Sequence, residues 1–136
     1  MKSLFKQEDF DQLMQRINHL TVENKAVWGK MNAEQMLAHV NYGLKAAIGK
    51  EHPKRVFIGL LFGNMAKRSM LKSNSFRKNL PTGKEFIVVD ERVFEKEKAQ
   101  LINLLNKINQ TGKTIFTQAP HPFFGKMTPD EWDQLE

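Results

Sequence analysis

Residues 32–48, NAEQMLAHVNYGLKAAI, decide the fold class of this chain. Their apolar side chains recur at three- and four-residue steps, which places them on one side of an α-helix. Asn32 is a favourable N-cap, and Gln35 stands three positions later, where a capping box has Glu or Gln. Gly49 follows where a left-handed residue usually ends a helix, and Pro53 prevents continuation. The stretch therefore predicts an amphipathic helix.

The flanking sequence predicts further helices and no sheet. Residues 7–20 repeat apolar side chains at helical spacing, and so do residues 90–109, for which Asp90 is the expected N-cap. Residues 56–71 fit a shorter helix that two internal glycines weaken by about 1 kcal/mol each. The chain is therefore expected to be all-α.

The last predicted helix has a strong start and little sequence behind it. Residues 128–131, TPDE, combine an N-cap threonine, a proline at the first helical position and acidic residues in the first turn. Only Trp132 and Leu135 follow on an apolar face before Glu136. Such a short helix needs tertiary packing to form. We therefore expect a truncated helix that continues in the natural protein.

The composition describes one globular domain without cysteine. The chain has 136 residues, 40% of them hydrophobic and 26% charged, close to the average for folded domains. The lack of cysteine excludes a disulfide scaffold, a thiolate metal site and a cysteine nucleophile. The densest apolar run, residues 56–63, is far shorter than the roughly 18 residues of a membrane span, and no signal peptide is recognisable. A cytoplasmic protein is expected.

His39 is the first candidate for chemistry, because it lies at the edge of the apolar stripe of the 32–48 helix. A histidine in that position can point between helices and serve as a metal ligand or as an acid or base. It can equally be a boundary residue that only forms a hydrogen bond with a neighbour. The spacing alone favours this structural interpretation, since a single histidine is not a site.

His121 is the second candidate. It stands between Pro120 and Pro122, which restrict its backbone, and two phenylalanines follow that can anchor the loop. A rigid loop histidine of this kind can bind an anion or a substrate. The alternative is a structural loop whose imidazole caps a backbone group. His19 and His52 have no local pattern and are predicted to be surface residues.

The positive charge of the chain is concentrated in residues 50–84. This basic segment has nine basic side chains and one acidic one, a net charge of +8, whereas the whole chain carries +6. Phe57, Phe62 and Phe76 are interleaved, so binding to nucleic acid or to an anionic membrane is conceivable. The Lys and Arg residues are scattered along the segment and match no known docking motif. We therefore predict neither a nucleic-acid nor a membrane partner.

Two stretches together resemble the DinB/YfiT-like metalloenzyme superfamily. Residues 28–39, WGKMNAEQMLAH, resemble the entry and second helix of these proteins, and residues 121–132, HPFFGKMTPDEW, resemble the loop into their fourth helix. Residues 81–98 are similar to a branch described only as a domain of unknown function. The resemblance implies a four-helix bundle with a long crossover between helices 2 and 3, formed by residues 1–136 as one domain with a truncated fourth helix.

The resemblance also implies a three-histidine site for Zn, Ni or Fe. His39 corresponds to the ligand from the second helix, while the other two ligands come from further along the fourth helix, beyond Glu136. His121 and Trp132 would shape the mouth of the site and contact a small-molecule or thiol cofactor. The metal site of this chain is therefore expected to be incomplete. The apolar surface left by a shortened helix predicts a homodimer.

Three functions compete at this point. The first is a bacterial, cytoplasmic metal-dependent enzyme of thiol-transferase type, as the resemblance implies. The second is a non-catalytic helical bundle that binds a small ligand or a protein partner, which the missing ligand helix favours. The third is an electrostatic binder that uses the basic segment and loses affinity steeply with salt.

Overall fold

The structure, a computed structural model, describes residues 2–26, 29–73 and 83–135. Within these ranges the chain is all-α, as predicted: no strand forms, and an isolated bridge between His121 and Gly125 closes a tight loop. One-turn 3₁₀ helices occur at Lys84–Phe86 and Lys113–Ile115. The helices are α1 (Gln7–His19), α2 (Ala33–Ala47), α3 (Phe57–Ser73), α4 (Phe94–Thr111) and α5 (Pro129–Leu135).

The core of the fold lies between α2 and α4, which pack against each other more extensively than any other two described elements. The apolar stripe predicted for α2 is buried through Leu37 and Leu44, and α4 buries Leu105 and Ile108 on the facing side. The predicted capping box is present: Gln35 N donates to Asn32 Oδ1 at 2.9 Å, and Asn32 N donates to Gln35 Oε1 at 3.1 Å. Local sequence and tertiary packing therefore agree in α2.

The start of α4 differs from the prediction. Asp90 is not its N-cap; the helix begins at Phe94, with Val93 as a cap that forms no side-chain hydrogen bond. The Asp90 carbonyl instead accepts a hydrogen bond from Gln35 Nε2 at 3.1 Å, and its carboxylate pairs with Arg92 Nε at 3.2 Å. Because these contacts tie Asp90 to the N-terminus of α2, its backbone stays outside the helix.

The short helix α5 is held by contacts with the beginning of the chain. Its predicted cap is present, since Glu131 N donates to Thr128 Oγ1 at 3.2 Å and Thr128 N donates to Glu131 Oε1 at 3.1 Å. The buried carboxylate of Asp133 accepts hydrogen bonds from Ser3 Oγ at 2.6 Å and from Leu4 N at 2.8 Å. These contacts supply the tertiary support that a seven-residue helix requires.

The helix predicted for residues 56–71 is present as α3, and its glycines have a packing role. A Cβ on Gly59 would lie 2.4 Å from Phe123 O, and a Cβ on Gly63 would lie 2.2 Å from the same oxygen. Both distances are shorter than any normal contact, so only glycine fits at these two positions. The glycines therefore allow α3 to lie directly on the loop that contains His121.

Candidate functional site

A cavity of about 320 Å³ lies between α2, the Lys84–Phe86 turn, the 121–125 loop and α5. We call it the His39 cavity. Its walls include His39, His121 and Trp132, the three residues that sequence analysis proposed for a site. The remaining lining is largely apolar, with Val40 and Leu135 among the wall residues. The volume is at the lower end of the range of small-molecule sites.

His39 offers a hydrogen-bond acceptor at this cavity. The ring is half-buried on α2, and its Nδ1 lies 2.7 Å from the carbonyl oxygen of Phe86. A carbonyl oxygen only accepts, so Nδ1 carries the proton and donates. In the neutral ring this leaves a lone pair on Nε2. The ring of Phe86 also makes edge contacts with His39 and Tyr42, at centroid distances of 6.4 Å and 4.9 Å.

His121 has the opposite tautomer. Its Nδ1 accepts hydrogen bonds from the backbone N–H groups of Phe123 and Phe124, both at 3.0 Å. The structural interpretation, an imidazole that caps backbone groups, is therefore confirmed. Since Nδ1 acts as an acceptor, the proton of the neutral ring is on Nε2. The neutral His121 ring thus has its donor on Nε2, whereas the neutral His39 ring has its acceptor there, and both residues line the cavity.

The surroundings of His121 keep its ring neutral. Burial lowers the pKa of His121 to about 4, with a further contribution from the positive charge of Arg55. Arg55 Nη1 donates a hydrogen bond of 2.6 Å to the His121 carbonyl oxygen. The ring stacks on Phe124 at 4.6 Å between centroids and tilts against Trp132 at 5.5 Å. These two ring contacts restrict the orientation of the imidazole.

The 121–125 loop is fixed by its own backbone and by α3. His121 N donates to Gly125 O at 2.8 Å, and Gly125 N donates back to His121 O at 3.1 Å. Gly125 has a φ of +80°, which favours glycine. Val56 N, just before α3, donates to Pro122 O at 2.9 Å. Sequence analysis predicted the rigidity of this loop from its prolines, but it gave Arg55 and α3 no part in it.

Trp132 lines the His39 cavity and has a buried donor without a partner in the described part of the chain. Its side chain is 3% exposed and stacks on Phe116 at 6.3 Å between centroids. The indole Nε1–H is buried and has no hydrogen-bond partner among the described residues. A buried N–H without a partner costs about 1–3 kcal/mol. An acceptor that reached this group would recover that cost.

A smaller cavity of about 120 Å³ adjoins the His39 cavity, because Ala46, Pro122 and Trp132 line both. Arg55 and His52 belong to its walls. His52 is exposed, as predicted for a surface residue. The guanidinium of Arg55 donates to the His121 carbonyl, and Glu51 and Thr117 also line this smaller cavity.

The described residues do not complete a metal centre. Nowhere in residues 2–26, 29–73 and 83–135 do three His, Asp or Glu side chains come together in a way that could hold an ion. His39 has the tautomer of a metal ligand, with Nδ1–H on a carbonyl and Nε2 free to coordinate. His121 does not, because its Nε2 carries the proton. Of these two histidines, only His39 is therefore suited to be a metal ligand.

The resemblance to DinB/YfiT-like proteins remains a prediction about the family. It rests on residues 28–39 and 121–132, and Trp28 of the first stretch lies outside the described residues. A match of the whole chain to known proteins would test it. No family model, no curated protein and no solved structure matches this chain.

Proposed function

We propose that this chain binds a small organic molecule in the His39 cavity. The observation that carries the proposal is the buried indole N–H of Trp132, which has no partner within the described ranges and belongs to a side chain that lines that cavity. Buried donors in native proteins are almost always satisfied. A ligand with an acceptor group would satisfy this one, and the apolar walls would bury its body.

The polar groups of the walls indicate the ligand's chemistry. Trp132 and His121 present N–H donors, while His39 presents the Nε2 lone pair. An amide has the complementary pair, because its carbonyl accepts and its N–H donates. Because burial keeps His121 neutral near pH 7, this histidine does not offer a cation that would favour a carboxylate. We therefore propose a small, mostly apolar molecule with an amide or lactam group.

The proposal includes the finer fold that the resemblance implies. In this interpretation α1, α2, α4 and α5 are the four helices of a DinB-like bundle, and α3 lies in the crossover between the second and third. The α2–α4 packing and the capped start of α5 support it. The ligand would then lie at one end of the bundle, against α5.

Binding can be measured by nuclear magnetic resonance with a library of small aromatic amides. The Trp28→Phe variant leaves Trp132 as the single indole and assigns its N–H signal. We expect some amides to shift this signal, and His39→Phe to weaken their binding by up to about tenfold, as the loss of one hydrogen bond predicts.

A cavity-filling variant provides the control. A Cβ on Gly43, a wall residue, meets nothing within 4 Å, so Gly43→Leu adds a side chain at the cavity without a backbone clash. Asn103→Leu adds the same side chain at an exposed position of α4. Gly43→Leu should abolish the shift and Asn103→Leu should retain it. If no amide shifts the Trp132 signal, or if Gly43→Leu binds like the unchanged chain, the proposal fails.

A metal-dependent enzyme with a small thiol cofactor is a second candidate, and His39 favours it. Metal-ligating histidines usually donate their second ring N–H to a carbonyl or carboxylate, as His39 does to Phe86. Since the described residues supply one such ring, we assign no chemical step. Zn²⁺ or Ni²⁺ bound by the chain should be lost in His39→Ala and retained in His19→Ala, an exposed histidine of α1. Equal metal content in both variants would refute the ligand assignment.

A further inference from the structure

The outward side of α3 carries a row of large apolar side chains. Each is more than half exposed, from 51% at Phe62 to 73% at Phe57. Scattered exposed apolar residues are ordinary, but a continuous row on one helix marks an interaction surface. We call this row the apolar ridge; it consists of Phe57, Ile58, Leu60, Leu61, Phe62 and Met65.

The ridge is exposed because of how α3 packs. Gly59 and Gly63 face inward, and the carbonyl of Phe123 occupies the space that a side chain would need. Turning the helix to bury the ridge would drive large side chains into the 121–125 loop. Lys67 fixes the rotation further, since its Nζ lies 3.0 Å from Glu131 Oε2 and donates to Lys126 O at 2.8 Å. The ridge is thus a built-in outer surface of the fold.

The charge around the ridge has one sign. Residues 57–73 contain three basic side chains and no acidic one. Lys67 is used by α5, but Arg68 and Lys72 are exposed. Each follows a ridge residue by seven positions, Arg68 after Leu61 and Lys72 after Met65, so both continue the same side of the helix. The outward surface is therefore apolar over its first turns and cationic over its last.

An anionic membrane surface fits this pattern better than a second copy of the chain. A single protruding helix is convex, so it can sink into the boundary between headgroups and acyl chains while its cations bind the headgroups. Pairing two ridges would instead bring together two helices that each carry three basic side chains and no acidic one. None of the helices in the described ranges has the length and hydropathy of a membrane-crossing segment.

We infer that α3 docks this chain onto an anionic phospholipid surface, through the apolar ridge and through Arg68 and Lys72. The sequence alone predicted no membrane partner, because the bases of the segment are scattered. The structure leads to a different conclusion, because Arg68 and Lys72 lie on the same side of α3 as the six exposed residues of the ridge. Neither of these two basic residues takes part in the contact with α5. Phe76, Arg77 and Lys78 of the same segment lie outside the described residues.

Sedimentation of the full chain with vesicles tests the inference. Vesicles of phosphatidylcholine alone are compared with vesicles that also contain phosphatidylglycerol, at low and high salt. We expect binding to the anionic vesicles, at least about tenfold weaker binding to the neutral ones, and release by high salt. The double variant Leu61→Ser with Phe57→Ser, the ridge variant, removes the two most exposed of the six ridge side chains. The double variant Arg68→Glu with Lys72→Glu reverses the charge. Each should reduce binding to anionic vesicles by about tenfold or more.

Val22→Ser is the matched control, because Val22 is an exposed apolar residue outside α3, and it should bind as well as the unchanged chain. Circular dichroism confirms that each variant is folded. Equal binding to both vesicle types, or no binding to either, would overturn the inference. A ridge variant that binds like the unchanged chain would also overturn it. The inference would also be overturned if the unchanged chain were a dimer in the absence of vesicles and the ridge variant were a monomer. A second copy of the chain, and not a membrane, would then cover the ridge.

Discussion

Helices α2 and α3 use apolar residues in opposite ways. In α2 the large side chains face inward, so that Leu37 is 1% exposed, and the one glycine of the helix lines a cavity. In α3 two glycines face inward and the six large side chains of the ridge face outward, so that Leu61 is 65% exposed. The two helices are of similar length and both contain apolar residues throughout.

The two helices therefore have different roles: α2 stabilises the fold, and α3 presents an exposed apolar surface. Burial against α4 makes α2 a source of stability, at roughly 25 cal/mol for each Å² of apolar surface removed from water. The ridge of α3 contributes little to folding, because most of it remains in water. Its inner side instead supports the 121–125 loop, and through it the wall of the His39 cavity.

The largest expected effect compares two leucines directly. Leu37→Ala removes a fully buried side chain of the core and should lower the free energy of unfolding by about 2–5 kcal/mol. Leu61→Ala removes the same atoms from an exposed position and should change it by less than about 0.5 kcal/mol. Urea denaturation measures both. Similar losses in the two variants would mean that the ridge is buried in solution.

The next effect concerns the loop between the two regions. The pKa of His121 is about 4 in the folded chain because of burial, and the ordinary value of 6.5 applies once the chain unfolds. Above pH 6.5 the ring is neutral in both states and stability is unaffected. As the pH falls from 6.5 to 4, the unfolded chain takes up the proton first, which costs the fold about 3 kcal/mol.

Urea denaturation near pH 7 and near pH 4 isolates this contribution. When the pH falls from 7 to 4, the free energy of unfolding should decrease by about 3 kcal/mol less in His121→Gln than in the unchanged chain. In His19→Gln, at an exposed position, it should decrease as much as in the unchanged chain. The comparison of pH values within each variant removes the cost of the substitution itself. If His121→Gln and the unchanged chain have the same pH dependence, the ring is not buried and neutral.

The smallest effect distinguishes the glycines of the two helices. Gly63→Ala places a Cβ 2.2 Å from Phe123 O, a backbone atom, and should destabilise the fold by about 1–3 kcal/mol. Gly43→Ala meets nothing within 4 Å and should stabilise it by up to about 1 kcal/mol through helix propensity. Thermal unfolding gives the two signs. A stabilising Gly63→Ala would show that α3 does not pack closely on the loop.

The sequence predicted what depends on local patterns. The caps at Asn32 and Thr128 and the inward stripe of α2 all follow from neighbours within one helix. Asp90 looked like a cap equally well, but a contact with Gln35, far away in sequence, decided its role. A contact between residues so far apart in sequence leaves no recognisable pattern in the residues around either of them.

The same limit applies to the site. Sequence analysis proposed His39, His121 and Trp132, and the fold brings them to one cavity. The tautomers could not be predicted, because they depend on the Phe86 carbonyl and on two backbone N–H groups of the loop. The glycines of α3 were interpreted as a weakness of the helix, since nothing in their own sequence indicates a loop pressed against them.

The protonation of the two rings tests the central claim most directly, because the proposed site needs one acceptor and one donor. Long-range ¹H–¹⁵N correlation spectra near pH 7 distinguish the tautomers of each neutral imidazole. The structure predicts the Nδ1–H form for His39 and the Nε2–H form for His121, with no protonation of His121 until the pH approaches about 4. Identical tautomers, or a His121 ring that titrates near 6.5, would contradict the account.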